Sequence, residues 1–302
     1  MDAINRGTGL TRRVLITGAS GYLGSHLVRR ILSLHPGSEI HAVYFTRCPR
    51  SLPVPTHSLD LRDRMAVIQF IEEVRPDIII HTAAQTGSDG LQRNDSHGEA
   101  WATNVAGTSH LAESAVRIGA RLIHVSTDVV FDGEHAPYRE ESPVHPLHRY
   151  GASKAEAERI VSGSSANAAI VRTSLIYGFD PVDPRTLAML EGKMNRLYVD
   201  EYRNPIFVSD LADALIELGA GTYRGLLHVA GPHRLNRYEF GVKCVRALGG
   251  DWTRLIQAST TESLFVRPRD CTLDISRARQ LLTTRLRGVE EILRSLSGNA
   301  SA

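Results

Sequence analysis

Cysteine is scarce in this chain: Cys48, Cys244 and Cys271 are three in number and form no CxxC pair. Neither a disulfide framework nor a zinc knuckle is therefore expected to organise the fold, and a reducing compartment suits it. The 13 histidines contain no HExxH or similar metal-ligand spacing, so no metal is expected. Charge of one sign is also lacking. The 35 basic and 33 acidic residues leave a formal net charge of +2 and form no long run, which removes the electrostatic footprint of a nucleic-acid partner. No apolar run approaches the roughly 20 residues of a membrane span. Met1 to Arg13 is polar and lacks the apolar core of a signal peptide. The expectation is a soluble, unprocessed, cytoplasmic protein with neither internal repeats nor low-complexity tracts.

A hydrophobic content of 42% over 302 residues is enough to bury a large core. Short β-branched runs alternate with longer segments of helical period. That is the pattern of βα units stacked into a parallel sheet covered on both faces, and it predicts a doubly wound, Rossmann-type α/β fold. Strands are predicted at Val14–Thr17, Ile40–Phe45, Asp77–Thr82, Arg121–Ser126, Ala169–Thr173 and Leu226–Val229, with helices following Gly21, Leu61, Glu99 and His148. From Tyr177 onward the alternation loosens. Phe179–Pro184 reads as a turn-rich loop before a short helix, and helices are predicted at Tyr238–Leu248 and Leu286–Leu296. The expected organisation is a dinucleotide-binding domain over 1–176, which also receives a strand near 226–230, and a smaller substrate-binding lobe over 177–302. Trp101 and Trp252 read as packing residues.

After the first strand comes Thr17-Gly-Ala-Ser-Gly-Tyr-Leu-Gly24, a GxxGxxG loop that opens into a helix with Leu27, Val28, Ile31 and Leu32 on its apolar face. Glycine spacing alone also serves ordinary turns. Between a strand and a helix it has a sharper meaning. Gly18 and Gly21 let the backbone approach a pyrophosphate held by helix N-terminal amides, and Gly24 lets helix and strand pack closely. Ser20, Tyr22 and Leu23 line the same loop. The second strand ends Tyr44-Phe-Thr-Arg47, with no carboxylate for a ribose 2′-hydroxyl. Arg47, with Arg50 nearby, can instead pair with a 2′-phosphate. NADPH is therefore favoured, with NADH kept open; a loop arginine can equally be a solvated side chain.

Tyr150-Gly-Ala-Ser-Lys154 opens a predicted helix, and residues four apart share a helical face. A phenol of ordinary pKa near 10 is poorly matched to proton transfer at neutral pH, and a neighbouring ammonium favours its ionised form. YxxxK by itself is also what an amphipathic helix can contain by chance. Its weight comes from Val125-Ser126-Thr127-Asp128 at the end of the fourth predicted main strand, since ligands bind at strand C-termini in open α/β sheets. Ser126 and Thr127 are candidate hydroxyls, and Thr127 is preferred as the group that orients a substrate carbonyl, although such residues also serve turns and caps.

These residues resemble the extended short-chain dehydrogenase/reductase family, whose pattern covers nearly the whole chain. Asp60-Leu61 resembles the family's adenine-contacting pair, His81-Thr-Ala83-Ala84 its cofactor-lining strand, and Asn104-Val-Ala-Gly-Thr108 the helix whose asparagine supports the active site. Val125–Gly133, Val171–Gly178 and Arg267–Asp274 look most like the dTDP-4-dehydrorhamnose reductase branch. The resemblance implies hydride transfer from a nicotinamide to a keto group of a nucleotide-linked sugar. It makes Tyr150 the proton donor, Lys154 the holder of the nicotinamide ribose, and Thr127 the group on the carbonyl. Gln85, Asp128, Arg203 and Arg267 become candidates for the substrate, and a homodimer is compatible. Some reductases of this type use magnesium at a dimer contact, but nothing in this sequence marks such a site.

The chain departs from the pattern where substrate would lie. Leu175-Ile176 replaces the usual tryptophan before the strand-end Tyr-Gly, and Phe179-Asp-Pro-Val-Asp-Pro184 follows. Val129 stands where related dehydratases have glutamate, which disfavours dehydration. A nucleotide-sugar epimerase stays open, since it uses the same tyrosine and lysine. So does a non-catalytic, NADP-binding regulatory subunit like the β subunit of methionine adenosyltransferase. His145 and His148 precede Tyr150 and are candidates for substrate contact or ordinary loop residues; Asp200, Arg203 and Pro205 lie in a stretch that reads either as a substrate-side loop or as a plain structural one.

Overall fold

The computed structural model describes residues 12–49, 52–85, 98, 101–164 and 166–299. Glu99 and Arg50, named above, lie outside the described residues. The alternating pattern becomes β1 (Arg13–Thr17), α1 (Tyr22–Leu34), β2 (Glu39–Tyr44), β3 (Thr56–Ser58), α2 (Arg64–Val74) and β4 (Ile78–His81). There follow a π-helical turn over Ala102–Ala106, α3 (Gly107–Ile118), β5 (Arg121–Thr127), α4 (Arg149–Gly163) and β6 (Asn167–Thr173). Each predicted strand of this half is present with ends shifted by a residue or two. The short edge strand β3 was not foreseen, because Thr-His-Ser is too short to show a period.

Seven strands form one sheet in the order β11-β6-β5-β4-β1-β2-β3, where β11 is Gly225–His228. β1 pairs in parallel with β2 on one side and β4 on the other, so the strand order reverses at β1. This is the switch point at which doubly wound sheets bind their ligands. The register aligns Thr17 with His81 and His81 with His124, which levels the carboxyl ends of β1, β4 and β5. Strands covered on both faces must be apolar throughout, and Ile78, Ile79 and Ile80 are all buried. Leu15, Ile79 and Leu122 from neighbouring strands pack with Val67 and Ile71 of α2 and with Leu111 and Ala115 of α3.

The remaining elements are β7 (Ile176–Tyr177), α5 (Pro184–Leu190), β8 (Arg196–Tyr198), β9 (Tyr202–Arg203), β10 (Ile206–Phe207), α6 (Val208–Ala220), β12 (Leu235–Asn236), α7 (Arg237–Ala247), β13 (Ile256–Ala258), α8 (Ser276–Leu281) and α9 (Val289–Asn299). Two of the helices start at side-chain caps: Asp183 accepts from the amides of Arg185 and Thr186, and Asn236 forms a capping box with Glu239. α9 begins three residues later than Leu286.

The chain forms two compact units. One comprises Met1–Ser126, His148–Val171 and Ala212–Leu227, the other Thr127–Leu147, Arg172–Leu211 and His228–Ala302. The expected first domain spans 1–176 with a strand near 226–230; here Thr127–Leu147 groups with the second unit, and Ala212–Leu227 with the first. After β5 the chain leaves through the 3-10 turn Asp128–Val130, and the second half of α6 with β11 carries it back to the sheet. Gly219 of α6 sits so close to the sheet that an added Cβ would lie 3.3 Å from Ile78. The second unit has its own core of Tyr177, Phe240, Cys244, Val289 and Ile292.

Trp101 and Trp252 correct the expectation of packing residues, being 48% and 39% exposed. Trp252 opens a single 3-10 turn capped by Asp251, which has no buried residue of its own. Among the described residues no helix is long and apolar enough to cross a membrane, and no cluster of side chains suits a metal.

Candidate active site

In the first unit the glycine loop is built by close approach. Gly18 has φ +72°, and a Cβ there would lie 2.7 Å from the backbone N and Cα of Ala83, just after β4. A Cβ on Gly24 would lie 2.3 Å from the carbonyl oxygen of Gly18. Only glycine fits either position. Gly21 stands at the N-cap of α1 with no side chain capping it, Ser20 and Gly21 are exposed, and Leu23 is buried beneath. Uncapped amides at a helix N-terminus, reached by a bare backbone, are what a pyrophosphate requires.

Along the same edge of the sheet, Arg47 is exposed just after β2. The Asp60 carboxylate accepts from Arg62 Nη2 at 2.7 Å and from Arg62 Nε at 2.9 Å, and these bonds hold it below the usual carboxylate range. The Arg62 guanidinium lies 5.0 Å from the Phe45 ring centroid. Leu61 is buried and packs where a Cβ on Gly107 would fall. Arg62 and Phe45 were not singled out from the sequence; neither type carries a motif there.

Asn104 sits in the π-helical turn, an irregularity common at functional sites. Its Oδ1 accepts from the Gln85 amide at 2.8 Å, and its Nδ2 donates to the Gln85 carbonyl at 3.1 Å and to Ser153 Oγ at 2.9 Å. Ser153 Oγ in turn donates to the Tyr150 carbonyl at 2.8 Å. This chain ties the segment after β4, which contains Ala83 and Ala84, to the first turn of α4. His148 serves as the N-cap of that helix, its Nδ1 accepting from the Gly151 amide at 3.0 Å. The cap accounts for His148, and its ring stacks beside Tyr150 at a centroid distance of 6.2 Å.

Tyr150 is half-buried, whereas Lys154 is only 2% exposed. Lys154 Nζ donates to the Val125 carbonyl at 2.7 Å and lies 3.1 Å from His124 Nε2. Burial lowers its pKa to about 8, opposed by the charge of Glu158 one helical turn on. Ser126 Oγ donates to Glu158 Oε1 at 2.5 Å. His124 and Glu158 escaped the sequence reading. Glu158 follows Lys154 by four positions, a spacing that could have suggested a shared face; His124 looks like any residue of a buried strand.

In the second unit Thr127 caps the 3-10 turn, its hydroxyl donating to Asp128 Oδ1 at 3.3 Å and accepting from the Val129 amide at 3.4 Å. Asp128 is buried, accepts from Ser174 Oγ at 2.6 Å and faces Arg203 Nε at 3.5 Å. Burial raises its pKa more than these partners lower it. Glu201, also buried, meets Arg267 Nε at 2.6 Å, Arg203 Nη2 at 3.3 Å and Arg237 Nε at 3.9 Å. Burial pushes this carboxyl up too, but three guanidinium charges outweigh it and bring it down to about 2. Arg203 is thus enclosed, whereas the Arg267 side chain is 33% exposed and stacks over the Tyr198 ring. Asp200 accepts from Ser259 and Thr260, a structural role. His145 is largely exposed, 4.0 Å from Asp132.

A parallel sheet with a glycine-loop helix at its switch point and YxxxK on a following helix defines an extended short-chain dehydrogenase/reductase architecture. The chain belongs to the RmlD substrate binding domain family, whose model matches residues 12–300. It is similar to a dTDP-4-dehydrorhamnose reductase of Mycobacterium tuberculosis, 34% identical over 271 residues that cover 86% of this chain and 83% of that one. It is also similar to methionine adenosyltransferase 2 subunit beta of Xenopus tropicalis, 32% identical over 241 residues covering 76% and 70%. Among solved structures, the dTDP-4-dehydrorhamnose reductase of Bacillus anthracis in complex with NADP superposes with a TM-score of 0.79 at 26% identity, covering 96% of this chain and all of that one.

Proposed function

We propose that this protein is an NADPH-dependent reductase of a nucleotide-linked 4-keto sugar, working in the cytoplasm, with NADH as a weaker alternative cofactor. The observation that carries the reading is the anchored Lys154 one turn from Tyr150, in the same unit as a glycine loop whose Gly18 and Gly24 no larger residue could replace. The cofactor would rest on Gly18, Ser20, Gly21, Tyr22 and Leu23, with Arg47 toward a 2′-phosphate, Asp60 and Leu61 toward the adenine, and Ala83, Ala84, Asn104 and Ser126 along its length. A reduced nicotinamide supplies the hydride.

Tyr150 gives its phenolic proton to the oxygen of the carbonyl being reduced. The Lys154 ammonium lowers the cost of the phenolate that remains, since a positive charge nearby favours the ionised form. Thr127 orients the carbonyl by donating its single hydroxyl hydrogen to the carbonyl oxygen, exchanging for that bond the long 3.3 Å one it makes to Asp128. The second unit serves as the substrate-binding lobe. Within it Arg267 is accessible enough to bind a diphosphate, while Arg203 holds Asp128 and Glu201 in place. Gln85 is exposed beside the Asn104 chain and faces substrate in this reading.

Titration of the purified protein with NADPH and NADH, followed by turnover of the tighter cofactor against dTDP- and other nucleotide-linked 4-keto sugars, tests the proposal. Cofactor oxidation with a panel member supports it. Tight binding without oxidation overturns it and shifts weight to the regulatory reading, which the similarity to the methionine adenosyltransferase subunit keeps in view; interconversion of sugars without net oxidation points to an epimerase.

A further inference from the structure

Lys154 packs against buried histidines that the reaction described above does not use. Its ammonium has three N–H donors and no acceptor. One donor is committed to the Val125 carbonyl at 2.7 Å, and His124 Nε2 stands 3.1 Å away on the same strand. The His124 ring is completely buried and its Nδ1 has no hydrogen-bond partner. Beside it the His81 ring lies 5.2 Å away, centroid to centroid, and is itself held at both nitrogens, by Thr17 Oγ1 at 2.7 Å and Thr108 Oγ1 at 3.0 Å.

We infer that His124 is a positioning residue for Lys154: its Nε2 accepts a hydrogen bond from the ammonium, keeps that group charged, and fixes it so that one N–H alone is left for the reaction. The inference rests on the reductase reading only for its consequence in turnover. The charge balance supports it. A buried ammonium is costly without acceptors. The titratable groups around Lys154 are His124 of β5, His81 of β4, and Tyr150 and Glu158 of α4. Burial together with the Lys154 charge holds both histidines far below their ordinary range, His81 at about 3, so both are neutral at pH 7. A neutral imidazole offers one lone pair. With His81 engaged by two threonine hydroxyls, the lone pair within reach of Lys154 is that of His124.

The converse arrangement is a neutral Lys154 amine that accepts from an Nε2–H of His124. The two differ in sign. Losing an acceptor lowers the lysine midpoint, and losing a donor raises it. The composition makes this measurable, because the chain has just three lysines, Lys154, Lys193 and Lys243. In the full-length protein labelled with 13C-lysine, the side-chain signals can be assigned with Lys193→Arg and Lys243→Arg and titrated. His124→Phe is expected to lower the Lys154 midpoint by about one pH unit, the size set by one hydrogen bond to a charged group. His124→Gln, which returns an acceptor at a similar reach, is expected to restore it. If His124→Phe fails to fold, His124→Leu replaces it.

An unchanged or raised midpoint in the apolar variant overturns the inference, as does an equal fall in the Gln variant. With an active keto sugar, the alkaline limb of kcat moves down with the lysine midpoint in the apolar variant and returns in the Gln variant. A merely structural defect lowers kcat without moving the limb, and that result also counts against the inference. If the wild-type protein reduces no keto sugar, the reductase reading falls while the lysine titration still decides what His124 does.

Discussion

Replacing Glu201 by glutamine removes one charge from a buried cluster at nearly constant volume, and its effect can be worked out. Glu201 is 3% exposed and faces Arg203, Arg237 and Arg267, which bring its carboxyl from an ordinary 4.5 to about 2. At about 1.4 kcal/mol per pH unit, that difference corresponds to about 3 kcal/mol of folding stability at pH 7. The figure agrees in size with the penalty of about 3–5 kcal/mol for stranding one side of a buried ion pair. Because the folded-state pKa is depressed, the contribution is fully present above the unfolded value of 4.5 and is lost as pH falls toward 2. Urea unfolding of the wild-type protein and Glu201→Gln over a pH series is the assay. The stability gap should be level above about pH 5 and close on the acid side. A gap at pH 7 below about 1 kcal/mol, or one that persists unchanged to about pH 3, would refute the reasoning.

Tyr150→Phe should abolish keto-sugar reduction and leave the NADPH dissociation constant within about twofold, because it removes a proton and little contact area; normal turnover removes Tyr150 from the mechanism. Arg47→Ala should weaken NADPH by about tenfold or more and NADH far less, since only NADPH carries a 2′-phosphate; equal losses by calorimetry would indicate a loop-folding defect. Gly24→Ala places a Cβ 2.3 Å from the Gly18 carbonyl oxygen. It should therefore cost about 1–3 kcal/mol in urea unfolding and weaken both cofactors together, and a stable variant with unchanged cofactor affinity would contradict the packing role.

Much of the first unit was legible because its signals are local. A four-residue isoleucine-rich run has to be a buried strand, as Ile78–His81 is, and Gly18, Gly21 and Gly24 state their purpose by spacing between a strand and a helix. Tyr150 and Lys154 share a face by helical period alone. The second unit was less legible. β7, β9, β10 and β12 are two residues each, too short to carry a period, and their partners are distant in sequence, as with Ile176 and Ile206. His148, read either as a substrate contact or as an ordinary loop residue, also serves as a helix cap, a role fixed by the backbone geometry around Gly151. The two tryptophans were assigned to packing from residue type alone, which says nothing of where a turn points.

The sequence by itself determined the class of fold, the glycine loop between β1 and α1 and the tyrosine–lysine pair, because period, glycine spacing and helical pitch act over a few residues. Tertiary structure decided how those groups are charged and held. The Lys154 side chain is held against a carbonyl and an imidazole from β5, and Glu201 is paired with arginines as far as 66 positions away in the chain. Hydrogen bonding and burial act through space, so the residues that tune the site are set by strand register and loop closure and leave no local mark in the sequence.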